Sequence, residues 1–115
     1  MAGKLTTHVL DTERGCAGAG MRVELRRLAP GPENLCALTL DSSGRATLLD
    51  GPALRPGTYE LLFSVGDYQR AHGAVAAEPP FLDLVPIRFG IADADAHYHV
   101  PLVLSRYGYT TYRGG

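Results

Sequence analysis

Short runs in which apolar and polar residues alternate recur along most of the chain. Successive side chains of a strand point to opposite faces, so residues 21–28 place Met21, Val23 and Leu25 on one buried face. The same alternation predicts eight strands. Their predicted bounds are residues 5–10, 21–28, 35–40, 45–49, 58–65, 83–91, 97–105 and 107–112.

Glycine and proline separate these runs at fairly regular intervals, which is typical of an all-β sandwich or barrel. One short helix is predicted over residues 67–72, ended by Gly73. Pro86 and Pro101 each fall inside a predicted strand, and proline there favours an edge or a bulge. The pattern therefore predicts an all-β fold with eight strands and one helix.

Length and charge limit the classes of function. A chain of 115 residues predicts a single domain over residues 1–115. The net charge of -1 lacks the strongly basic character of nucleic-acid binding, and no apolar run is long enough for a membrane span. Cys16 and Cys36 have no CxxC spacing and the N-terminus has no apolar leader, so we expect reduced thiols in a cytoplasmic protein.

Histidines on predicted strands are the first candidates for chemistry. His97 and His99 are two apart and therefore point the same way, and His8 lies on another strand. Three interpretations remain open from the residues alone. The histidines are hydrogen-bonded groups on a polar sheet face, or three zinc ligands, or groups for acid–base catalysis, since histidine titrates near neutral pH.

Arg45 and the C-terminus are further candidates. Arg45 opens a strand directly after the predicted turn at residues 41–44, where its guanidinium is either a solvated charge or a binder of a planar or anionic substrate. The chain ends directly after a strand-like segment, with Gly114 and Gly115. Glycines there are either a frayed end or allow the backbone to approach a ligand closely.

Three sequence elements together resemble the 5-hydroxyisourate hydrolases of the transthyretin-like family. They are Leu5-Thr-Thr-His8-Val-Leu-Asp11-Thr, Ser43-Gly44-Arg45, and His97-Tyr-His99-Val-Pro101-Leu followed by Tyr107-Gly-Tyr-Thr-Thr-Tyr112-Arg113-Gly114. The resemblance covers the whole chain. The family typically ends in Tyr-Arg-Gly-Ser, whereas this chain ends in Gly115 and so lacks the terminal hydroxyl.

The resemblance implies a transthyretin-like (prealbumin-like) sandwich of two four-stranded sheets with one short helix. It also implies a homotetramer whose active sites lie where dimers meet. The implied substrate is a small molecule, and no cofactor or metal ion is expected. The implied catalytic residues are His8, Arg45 and His99, and the implied substrate-binding residues are Tyr112, Arg113, Gly115 and His97.

The implied reaction opens the six-membered ring of 5-hydroxyisourate at the N1–C6 bond. The product is 2-oxo-4-hydroxy-4-carboxy-5-ureidoimidazoline, an intermediate of urate degradation. A neutral histidine would deprotonate water and Arg45 would offset the oxyanion's charge, but the sequence does not assign the base between His8 and His99. The alternative is a transthyretin-type carrier of an aromatic ligand, for which apolar or hydroxyl side chains would be expected at these positions.

Overall fold

The computed structural model of the chain describes residues 3–73 and 77–114. Every predicted strand is present, and the helix overlaps the predicted one. The strands are β1 (Lys4–Asp11), β2 (Cys16–Ala17), β3 (Arg22–Ala29), β4 (Glu33–Thr39), β5 (Arg45–Asp50), β6 (Gly57–Ser64), β7 (Leu84–Ile91), β8 (His97–Leu104) and β9 (Tyr109–Thr111), and the helix α1 is Val65–Ala71.

The strands form two sheets. In the first, which we call the histidine sheet, β1 pairs in parallel with β8 along one edge, and antiparallel with β5 and the short β2 along the other. Strand β9 pairs with the far edge of β8. The second sheet has the antiparallel order β4-β3-β6-β7. The predicted sandwich is confirmed, except that the two-residue β2 adds a fifth strand to the histidine sheet.

The core lies between the two sheets and contains the apolar side of each alternating run. The side chains that are fully buried there include Leu5, Val9, Val23, Tyr59, Leu61, Phe63 and Leu102. Burying a side chain of this size contributes roughly 1.5–3 kcal/mol, so the alternation fixes which face of each strand turns inward. The polar residues between them on β1 and β8 must therefore project from the outer face of the histidine sheet.

Helix α1 begins two residues earlier than predicted, because Val65 is fully buried and continues the core from β6. It ends before Gly73, whose φ of 70° is the left-handed conformation expected after a helix. The Tyr68 hydroxyl donates a 2.8 Å hydrogen bond to Asp11. Burial and this bond raise the pKa of Tyr68 to about 12. These contacts attach α1 to the end of β1.

Two short elements lie within predicted loops. Strand β2 forms in the glycine-rich stretch after β1, and one turn of 3-10 helix spans Gly51–Ala53. Both are too short to show a periodic pattern in the sequence. Pro86 behaves as predicted, since it lies on β7, the edge strand of its sheet. The same prediction is wrong for Pro101, which lies on β8 between β1 and β9. Among the described residues, no helix has the length and apolar character needed to cross a membrane.

Candidate active site

Strand pairing brings the predicted histidines and the arginine to one surface. Thr6 lies opposite His99 in the parallel pair of β1 and β8, and His8 lies opposite Arg45 in the antiparallel pair of β1 and β5. Paired residues point to the same face of a sheet, and His97 shares the face of His99 by alternation. The prediction that His97 and His99 point the same way is confirmed, and their ring centroids are 6.3 Å apart.

These side chains surround an open cleft of about 360 Å³ on the outer face of the histidine sheet. Arg45, His97 and His99 line it together with Thr6. His8 is placed beside it by its pairing with Arg45. Residues from three separate segments of the sequence therefore meet in one polar concavity, which is the arrangement expected of a small-molecule site.

Thr6 is a site residue that the sequence reasoning missed. Its Oγ1 lies 2.9 Å from Nε2 of His97 and 2.8 Å from Nδ1 of His99, so one hydroxyl contacts both imidazoles. The sequence held one signal for Thr6, because alternation along β1 places Thr6 and His8 on the same face of the sheet. The pairing of β1 with β8 joins residues 93 positions apart and could not be derived from local pattern.

His99 is the histidine whose chemistry is most clearly set by its surroundings. It is half-buried, and burial lowers its pKa, with further lowering by electrostatic repulsion from the neighbouring side chains of His97, Arg45 and His8. Its imidazole is therefore neutral near pH 7 and able to accept a proton. The Gly114 amide donates a 2.8 Å hydrogen bond to the His99 carbonyl, which holds the C-terminal tail against this residue.

A turn that precedes β5 positions Arg45. One carboxylate oxygen of Asp41 accepts hydrogen bonds from the Arg45 amide and from the Ser43 amide and hydroxyl, at 2.7–2.9 Å. These bonds, that of Arg45 first, lower the pKa of Asp41. Gly44 has φ 74°, and a Cβ there would lie 2.8 Å from the Val9 carbonyl oxygen, so this turn requires glycine. The predicted turn at residues 41–44 is confirmed.

The tail residues Tyr112 and Arg113 lie away from the histidines within this chain. The Arg113 guanidinium stacks 4.1 Å from the ring centroid of Tyr98, which points to the inner side of β8. Both tail residues line a second cleft, of about 360 Å³, beside Phe89 of β7. Their predicted contact with substrate stays a prediction, and Gly115 lies outside the described residues.

The zinc interpretation has no ready donor set in the described ranges 3–73 and 77–114. No group of three His, Cys, Asp or Glu side chains there is arranged to hold a metal ion. Nε2 of His97 and Nδ1 of His99 each lie within hydrogen-bonding distance of the Thr6 hydroxyl.

Comparison with known proteins identifies relatives over nearly the whole chain. The model of the HIUase/Transthyretin family matches residues 5–114. The chain is 53% identical to the 5-hydroxyisourate hydrolase of Pseudomonas aeruginosa, with 97% of this chain and 91% of that protein covered. It is 52% identical to the 5-hydroxyisourate hydrolase 2 of Rhizobium meliloti, with 98% and 97% covered.

Solved structures show the same fold. The chain is similar to Klebsiella pneumoniae 5-hydroxyisourate hydrolase, with a TM-score of 0.82, 30% identity and full coverage of both chains. It also matches an (S)-allantoin synthase, with a TM-score of 0.94 and 40% identity, and covers 44% of that longer chain. Comparison with sea bream transthyretin in complex with thyroxine gives a TM-score of 0.85 and 21% identity, with 96% of this chain and 93% of that chain covered. This likeness is one of fold alone.

Proposed function

The chain belongs to the HIUase/transthyretin family, and on that premise we propose that it hydrolyses 5-hydroxyisourate in urate degradation. The observation that carries the proposal is the meeting of His8, Arg45 and His99 on one face of the histidine sheet, beside an open polar cleft. A proton acceptor and a fixed cation are the groups that hydrolysis of a cyclic amide needs.

His99 is the general base of the proposed reaction. Its lowered pKa keeps the imidazole neutral, and it lines the cleft, so it can take a proton from water as the water oxygen attacks C6. Collapse of the tetrahedral intermediate breaks the C6–N1 bond. The imidazolium then returns the proton to the leaving nitrogen N1. The new C6 carboxylic acid loses its remaining proton to solvent, and the product is 2-oxo-4-hydroxy-4-carboxy-5-ureidoimidazoline.

Arg45 offsets the negative charge that develops on the C6 oxygen, and its planar guanidinium orients the imide edge of the substrate. The hydrogen bonds of Asp41 to the turn fix the start of β5 and so support this role. His8, paired opposite Arg45, assists proton transfer to the leaving nitrogen in this proposal. His97 is exposed and also lines the cleft, so in this proposal it contacts substrate at the rim.

We also propose that the protein is a cytoplasmic homotetramer whose active sites lie where dimers meet. Aromatic side chains that lie exposed on the single chain, among them Phe81, Tyr107, Tyr109 and Tyr112, support burial against further copies. Such an assembly could bring the Tyr112 and Arg113 of one chain to the cleft of another. The free thiols of Cys16 and Cys36 suit a reducing compartment.

The carrier alternative fits the cleft less well. A carrier of a hydrophobic aromatic ligand needs an apolar lining, whereas this face presents two imidazoles and a guanidinium. The likeness to thyroxine-bound transthyretin is one of fold, and fold alone does not assign function.

Carbon-13 NMR can test the bond that is cleaved. Urate labelled at C6 is oxidised in place by urate oxidase, and the C6 signal is followed with and without the protein. We expect C6 to become a carboxylate signal faster than in buffer. A label that turns over at the buffer rate, with folded protein, contradicts the proposed reaction.

A further inference from the structure

One hydroxyl group joins the two histidines of the cleft. The Thr6 Oγ1 lies 2.9 Å from Nε2 of His97 and 2.8 Å from Nδ1 of His99, both within hydrogen-bonding distance. A hydroxyl carries a single proton and two lone pairs, so it can donate to at most one of the two neutral imidazoles and must accept from at least one. The positions of the protons on His97 and His99 are therefore linked through Thr6.

Two arrangements use the hydroxyl proton to join the rings, with Thr6 as donor to one and acceptor from the other. In the first, His99 donates its Nδ1–H to Thr6 and Thr6 donates to Nε2 of His97, which leaves Nε2 of His99 without a proton. In the second, His97 donates from Nε2 and Thr6 donates to Nδ1 of His99, which places the proton of His99 on Nε2. Only the first arrangement offers the cleft a nitrogen of His99 that can accept a proton.

We propose that Thr6 is a positioning residue that, with His97, holds His99 in the tautomer protonated at Nδ1. The inference rests on the proposed function, because hydrolysis requires the free Nε2 of His99 as the base. Thr6 and His97 then serve His99 as an orienting group serves the base of other hydrolytic sites. When His99 takes up a proton from water, its Nδ1–H still has the Thr6 oxygen as acceptor.

The surroundings of Thr6 suit a fixed role. It lies on β1, which has paired strands along both edges, and a β-branched side chain has few rotamers to choose from. Its backbone register with His99 is set by an eight-residue parallel pairing. On the other side of the ring, the tail packs so closely that a Cβ at Gly114 would lie 2.6 Å from Cδ2 of His99. The imidazole is thus held at Nδ1 and at one ring edge.

NMR of the histidine side chains tests the tautomer without any substrate. Long-range proton–nitrogen spectra of the whole protein, recorded where the imidazoles are neutral, distinguish Nδ1–H from Nε2–H. We expect Nδ1–H for both His97 and His99 in the wild type, and a shift of both toward Nε2–H, the form that free imidazole favours, in Thr6→Val. His97→Ala should shift His99 in the same direction, because Thr6 loses its acceptor and becomes free to donate to Nδ1.

A wild-type His99 protonated at Nε2 would overturn the proposal, as would an unchanged His99 tautomer in Thr6→Val. Neither result depends on catalysis. A wild type that does not accelerate hydrolysis would instead contradict the proposed function, so the two failures can be told apart.

Kinetics supply the second test. Loss of one orienting hydrogen bond should lower the kcat of Thr6→Val roughly 10-fold, with KM little changed. Thr6→Ser keeps the hydroxyl and should restore most of the rate. Thr58→Val is the matched control, since Thr58 is an exposed threonine on the central strand β6 of the other sheet, and it should leave kcat unchanged. A wild-type kcat in folded Thr6→Val, checked by circular dichroism, would contradict the proposed role.

Discussion

Replacing Gly114 by alanine should disturb the proposed active site through a contact that the structure defines. The Gly114 amide donates a 2.8 Å hydrogen bond to the His99 carbonyl, which fixes the two backbones side by side. A Cβ on Gly114 would lie 2.6 Å from Cδ2 of His99 and 3.1 Å from its Cβ and Cγ. Carbon atoms normally approach to about 3.5–4.0 Å, so the imidazole or the tail must move by roughly 1 Å.

The size of the effect follows from that displacement. Moving a catalytic group by about 1 Å can reduce the rate about 100-fold, which corresponds to about 2.7 kcal/mol of transition-state stabilisation. We expect Gly114→Ala to lower kcat/KM by that factor. The melting temperature should change little, because Gly114 lies beyond β9 and pairs only through an isolated bridge to His99.

The assay is the loss of 5-hydroxyisourate absorbance after oxidation of urate in place. Gly31→Ala is the matched control, because a Cβ at Gly31 meets no atom within 4 Å and the residue is not among the glycines with positive φ. It should retain the wild-type kcat/KM. If Gly114→Ala were as active as Gly31→Ala, the assignment of His99 and the role of the tail in holding its ring would both be refuted.

Three further predictions concern the same cleft. His99→Ala and His8→Ala should each lower kcat about 100-fold or more, as expected on removing a proton-transfer group, while His72→Ala at the end of α1 should match wild type in the same assay. Asp41→Ala removes the bonds that fix the turn before Arg45, and we expect about a 10-fold loss of kcat/KM in steady-state kinetics with the fold intact by circular dichroism. The pKa of His99 lies below its ordinary value, and protonation of His99 removes the proposed base. We therefore expect kcat/KM to rise with pH through a midpoint below about 6.5. A midpoint above that value would contradict the effect of burial and neighbouring charge on His99.

Much of the fold could be predicted because local pattern decides it. The alternation over residues 21–28 predicts that Met21, Val23 and Leu25 point inward, and burial of all three confirms the prediction. The left-handed glycine after α1 was predicted for the same reason, since a short sequence signal specifies that geometry. Boundaries moved where the core extends beyond the pattern, as at Val65, which is buried and helical.

The site was only partly predictable because its contacts are nonlocal. Alternation alone placed His97 beside His99. The strand pattern and the turn also made His8 and Arg45 candidates, but only the resemblance to a family grouped them with His99. The contact of Thr6 with both rings depends on a parallel pairing of β1 with β8, which no window of sequence reports. The position of Arg113 against Tyr98 depends on how the tail leaves β9. Such contacts become visible only when the strands are assembled.

The rate at which 5-hydroxyisourate disappears is the most direct test of the account. Urate oxidase generates the compound in place, and its near-ultraviolet absorbance is followed with buffer, with wild-type protein and with His99→Ala at equal concentration. The account predicts rapid loss with the wild type and loss close to the buffer rate with folded His99→Ala. A wild-type trace that coincides with the buffer trace would contradict the proposed function, and a fully active His99→Ala would contradict the proposed base.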